Sequence, residues 1–112
     1  MLLCLVNTTR GIEMKIKTSE LSGAALDWAV NMADGLHGVL APVAYSRDWS
    51  FGGPIIEQEW IGLDYYPDSG LWHAGTCEGT VWGMGRTPLI AAMRCFVMSR
   101  LGEEVEIPEE LK

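Results

Sequence analysis

A chain of 112 residues is the length of one domain, and its 48% hydrophobic content supplies a single core without pointing to disorder or a membrane span. The formal charge is −7 and gathers at the end: five glutamates against Lys112 leave −4 in residues 103–112, Arg10 and Glu13 cancel in residues 1–13, and the body between carries −3. So mildly acidic a body lacks the basic stripe that phosphate contacts need, which disfavours direct nucleic-acid binding, and the odd set Cys4, Cys77 and Cys95 fits reduced thiols better than a disulfide framework.

Residues 1–13 do not continue into any periodic element. Leu2 to Val6 is too short to cross a bilayer, and it lacks the preceding basic residue and the following small-residue site of a secretory signal. The cytoplasm is the expected location. Arg10-Gly11 can be encoded by a purine-rich run resembling a bacterial ribosome-binding site just upstream of Met14. We therefore expect residues 1–13 to be a non-native or disordered N-terminal extension, residues 14–102 a single domain, and residues 103–112 an acidic tail.

Lys15-Ile16-Lys17-Thr18 alternates and predicts a short edge strand whose lysines discourage further pairing. From Thr18 or Ser19 to about Asp34 the pattern is helical. Leu21, Ala25, Leu26, Trp28, Ala29, Val30, Met32 and Ala33 share one arc, Asp27, Asn31 and Asp34 the other, and Gly35 is the expected C-cap. Leu36 to Ala44 reads as a surface connection, with His37 a solvated loop histidine.

Tyr45 to Glu57 is the most idiosyncratic stretch. Ser46 or Asp48 can cap a short helical turn. Gly52-Gly53 before Pro54 predicts a sharp change of direction, with a further helical turn from Pro54 through Trp60. A strand from Ile55 to Ile61 is the competing reading. Tyr45, Ser46, Asp48 and Trp49 are candidate binding residues on this loop, although capping and aromatic packing account for the same residues.

Leu63 to Tyr66, the turn Pro67-Asp68-Ser69-Gly70, and Leu71 to Ala74 predict a β-hairpin. Thr76 to Gly79 makes a second reversal and Thr80 to Met84 a third strand. Glycines at 83 and 85 suggest a bend or the close approach of another backbone. The long apolar helix follows: Thr87 as N-cap, Pro88 in the first turn, Gly102 as stop. Leu89, Ile90, Ala92, Met93, Phe96, Val97 and Leu101 form its broad face. The opposite side, with Ala91, Arg94, Cys95, Met98 and Ser99, carries a single charge, so this helix should be covered on two sides or belong to an interface. Glu104 to Ile107 alternates and either adds an edge strand or trails.

Reactive constellations are thin. His73 and Cys77 lack the paired short spacings of a zinc site, and Cys95 has no motif-identified base. Glu57, Glu59 and Asp64 are ordinary surface acids by spacing, and Trp82-Gly-Met-Gly-Arg-Thr-Pro lacks the lysine of a phosphate-binding loop. Arg86 and Arg94 are candidate anion contacts, set against helix-end pairing with acids. The tryptophans at 28, 49, 60, 72 and 82, spread one per element, suit core and rim rather than a ligand cage. Neither metal nor cofactor is expected.

Three blocks in the same order resemble the NinX-like family of lambdoid-phage and enterobacterial prophage proteins. They are Met14-Lys-Ile-Lys-Thr-Ser-Glu-Leu-Ser-Gly-Ala-Ala-Leu-Asp-Trp-Ala-Val, Tyr45-Ser-Arg-Asp-Trp with Gly52-Gly-Pro-Ile-Ile-Glu, and Thr87-Pro-Leu-Ile-Ala-Ala-Met-Arg-Cys. The similarity runs over about residues 14–107 and is weakest between 61 and 84. It implies a phage accessory protein made inside a bacterium, with members beginning at the position of Met14. It brings no activity with it, so no catalytic residue is carried over.

The expected fold is α+β: a small antiparallel sheet of three or four strands packed against two or three helices, with an α/β/α sandwich as the alternative. The expected function is a non-catalytic module in the bacterial cytoplasm that binds a host or phage protein. The alternatives are a small-molecule binder or enzyme using the Tyr45 to Glu57 loop with Arg86 or Arg94, and an acidic decoy of a nucleic-acid-binding protein. A homodimer through the Leu89 to Leu101 helix is a further expectation.

Overall fold

The computed structural model describes residues 13–35 and 43–111. The N-terminal extension (Glu13 apart) and His37 lie outside the described residues. In chain order the elements are β1 (Glu13–Lys17), α1 (Gly23–Ala33), α2 (Trp49–Glu59), β2 (Gly62–Tyr66), β3 (Leu71–Gly75), β4 (Trp82–Gly85), α3 (Pro88–Leu101) and β5 (Glu104–Pro108). The fold is α+β, with its strands in two antiparallel sheets rather than one: β2-β3-β4 and β1-β5.

Helix α3 is the middle layer. The Thr87 hydroxyl accepts a hydrogen bond from the Ile90 N–H at 3.1 Å, Pro88 occupies the first turn, and the chain leaves the helix through Gly102 at φ 95°. Leu89, Met93, Phe96 and Val97 are buried as the periodicity predicts. Ala91 and Cys95, on the opposite side, are fully buried as well. The three-stranded sheet lies on that second side, and α1 and α2 pack on the first. The two-sided cover predicted for so apolar a helix is therefore supplied by the chain itself. One expectation is corrected by this. No helix among the described residues packs on the outer face of the β2-β3-β4 sheet, so the layers run sheet, α3, then α1 with α2, not α/β/α. For the dimer expected through Leu89 to Leu101, the chain's own sheet and helices cover most of α3, leaving Leu101 exposed and Ile90 and Met98 half-exposed.

Contact between α3 and β4 is backbone to backbone. A Cβ on Gly83 would sit 2.5 Å from the Ala91 carbonyl oxygen and 2.6 Å from the Cys95 nitrogen, and one on Gly85 would sit 2.9 Å from the Ala91 nitrogen. The glycines predicted to mark a close approach do so.

Helix α1 starts later than its hydrophobic pattern suggested. Residues 18–20 form a 3-10 turn, because Thr18 is spent elsewhere: its hydroxyl donates to the Gly102 carbonyl at 2.6 Å and its N–H to that of Glu103 at 2.8 Å. Asp27 and Asn31, expected on the polar arc, are 1% and 3% exposed, since the turn at 45–47 folds over them. Trp28 is half-buried against the core.

Helix α2 is continuous through Gly52, Gly53 and Pro54, so the predicted change of direction does not occur, and the helical reading of residues 54–59 is the one the chain takes. Asp48 is its N-cap, accepting from the Ser50 N–H at 2.9 Å and hydroxyl at 2.7 Å. Gly52 seats the helix against the Tyr45 carbonyl and Leu89. Pro54 lies on the exposed side of the second turn, where its missing N–H costs one bond that water can replace.

The hairpin forms as predicted, with Tyr66 opposite Leu71 and Gly70 at φ 72° donating to the Tyr66 carbonyl at 2.9 Å. Strand β5 settles the ambiguity over residues 104–107. It pairs with β1, turns Val105 and Ile107 inward, and sets Lys15 opposite Glu106 and Lys17 opposite Glu104. Arg100 ties the helix ends together, donating to the Ala33 carbonyl and pairing with Glu59 at 2.9 Å while lying 5.0 Å from the Phe96 ring centre.

Candidate functional site

Of the four loop residues proposed for binding, Tyr45 and Ser46 turn inward while Asp48 and Trp49 stay exposed. The Tyr45 hydroxyl donates to Asn31 Oδ1 at 2.9 Å, and the Ser46 N–H donates to Asp27 Oδ1 at 2.9 Å. Arg47 reaches the other Asp27 oxygen at 3.3 Å. Burial raises the Tyr45 hydroxyl above its ordinary pKa, with the nearby Asp34 and Asp27 adding to the shift. The Ser46 hydroxyl and the Asn31 side-chain nitrogen are buried without a partner among the described residues. This cluster pins the 45–47 turn to α1. The Asp48 carboxylate is held below its usual range by its bonds from Ser50, which is what an N-cap does and not what a proton carrier needs. Trp49 is exposed on α2. None of these four residues lines the same concavity as Arg86 or Arg94.

Those two arginines do come together. They line a groove of about 690 Å³ at the open edge of β4, within the usual size range of a ligand or peptide pocket. Alternation along β4 builds it. Gly83 and Gly85 face α3, so Trp82 and Met84 point to the opposite, uncovered face of the sheet. The Trp82 ring lies flat over Gly75 on the neighbouring strand, where an added Cβ would meet it at 2.9 Å. Further along that face Tyr66 stacks on His73, ring centres 3.9 Å apart. Ile90, Arg94 and Met98, at successive helical turns of α3, form the other wall.

Arg94 is the floor. Its Nε donates to the Leu21 carbonyl at 2.8 Å and its Nη1 to the Met84 carbonyl at 2.7 Å, so one guanidinium joins the β4 edge to the start of α1. Occupying the Met84 carbonyl also blunts the strand edge against pairing with another chain. Burial holds the Arg94 pKa below its ordinary value, and no carboxylate among the described residues pairs with it. Arg86 is exposed at the rim. The sequence alone marked both arginines as anion contacts but missed Trp82, Met84, Ile90 and Met98 as their apolar companions. The signal was present in Trp82-Gly-Met-Gly, where large and absent side chains alternate.

Among the described residues no group of three or more His, Cys, Asp or Glu is set to hold a metal ion. Cys95 is buried, and its thiol is pushed up to about 11 by burial, so it is a poor nucleophile near neutrality. Glu59 is engaged with Arg100, and Asp64 sits across from His73 in the hairpin. What the arrangement offers is a binding surface: an apolar trough with cationic groups at its base and rim.

Compared with known proteins, residues 17–100 match the family model described as Bacteriophage P22, NinX, a span that contains every residue of the groove. No curated protein matches the chain.

Proposed function

The chain belongs to the bacteriophage P22 NinX family, and from that premise we propose that it is a phage accessory protein acting as a non-catalytic binding module for a host or phage protein in the bacterial cytoplasm. One observation carries the reading. The outer face of the β2-β3-β4 sheet leaves Trp82 54%, Met84 47% and Tyr66 46% exposed, and no described element covers it. Soluble domains seldom leave contiguous large apolar side chains in water without a use for them. Aromatic and methionine side chains with arginine are the residues enriched at the centres of protein interfaces. No described helix is long and apolar enough to cross a membrane.

The test is affinity capture from phage-infected cells with the full chain and with Trp82→Ala. A specific phage or host protein retained by the parent and lost with Trp82→Ala is the expected result. Equal capture by both, or none by either, overturns the reading.

A further inference from the structure

The charge distribution around the groove names the chemistry of its occupant. Of the four arginines among the described residues, Arg47 pairs with Asp27 and Arg100 with Glu59; Arg86 and Arg94 form no salt bridge with any described residue, and both line the groove. In a chain of formal charge −7, the groove lining includes no Asp or Glu. Arg94 is also half-buried, and its Nη2 edge has no hydrogen-bond partner among the described residues. A half-buried cation without a counter-charge is costly, and an incoming anion removes that cost.

We propose that the groove takes an apolar segment of a partner polypeptide bearing a carboxylate, the acid meeting the free edge of Arg94 and Arg86 while the apolar side chain lies against Trp82, Met84, Ile90 and Met98. Guanidinium groups suit a carboxylate through paired N–H donors. The apolar walls select against a phosphodiester backbone, whose binding draws on several cations and a polar track rather than two guanidiniums in a trough. This assignment rests on the protein-binding reading for the identity of its occupant, and its chemistry is tested separately.

The experiment is a two-dimensional NMR titration of the 15N-labelled full chain with N-acetyl-leucyl-phenylalanine, with the same dipeptide as its C-terminal amide, and with inorganic phosphate. The acid is expected to shift the Trp82 indole N–H and Arg94 Nε–H signals saturably, and to bind about tenfold more tightly than the amide. Arg86→Gln, a surface change that leaves the fold intact, is expected to weaken the acid severalfold and leave the amide unchanged. Equal affinity for acid and amide, shifts confined to residues outside the groove, or phosphate binding as tightly as the acid would each overturn the assignment. Loss of captured partner with Trp82→Ala but no acid–amide difference overturns the carboxylate while the protein-binding surface stands. An acid–amide difference with no protein captured supports the carboxylate site and removes the protein reading.

Discussion

The two faces of β4 differ sharply. Toward α3, Gly83 and Gly85 leave no room for a methyl group. Toward solvent, Trp82 and Met84 stand half in water over an open groove. Four consecutive residues thus divide two tasks by the alternation of a strand: one face holds the fold and the other is free to recognise something. Changes on the α3 side and in the core behind it should therefore act on stability, and those on the outer side chiefly on binding.

The largest effect is expected from Phe96→Ala, which empties a side chain 1% exposed where α3 meets the other helices. Denaturant unfolding should show a loss of about 4 kcal/mol; a loss under about 1 kcal/mol would mean that α3 is not the centre of the core. Next comes Asp27→Ala, which strips the buried Ser46 N–H of its acceptor and costs about 1–3 kcal/mol. The exposed Arg47 contributes little of that, because solvent screens its half of the ion pair. Unchanged stability in this variant would show that the 45–47 turn is not anchored to α1.

A smaller, pH-dependent effect belongs to the same interior side. The Cys95 thiol rises from 9.0 to about 11 by burial, so between those values the folded chain keeps a proton that the unfolded chain gives up. The stability from this source is whole below about pH 9 and declines as pH rises toward about 11. The raised Tyr45 hydroxyl acts in the same direction. Unfolding followed from about pH 8 to about pH 10.5 should show that decline, with a shallower slope in Cys95→Ala. Alkylation mapping near pH 8 should label exposed Cys77 and spare Cys95 until the chain unfolds.

Much of the interior was legible in the sequence because local rules and burial agreed there. Thr87, Pro88 and Gly102 bounded α3, Pro67 to Gly70 fixed the hairpin, and three blocks of residues indicated the family. The failures lie where tertiary contacts overrode local preference. Asp27 and Asn31 looked solvent-facing because helical periodicity cannot see a turn from 45–47 closing over them. Pro54 looked like a break because its cost is set by which side of α2 meets solvent. The groove was half legible: its cations could be named from the chain, but the apolar wall needs β4 and α3 side by side, residues brought together by the Gly83 and Gly85 contact.

The most direct test of the division across β4 is denaturant unfolding of Gly83→Ala beside Trp82→Ala. Gly83→Ala forces a methyl group into helix backbone that cannot yield and should lose about 2–3 kcal/mol, whereas Trp82→Ala should lose under about 1 kcal/mol. Equal losses in the two variants, or a larger loss from Trp82→Ala, would contradict the account, because the outer face would then be holding the fold instead of waiting for a partner.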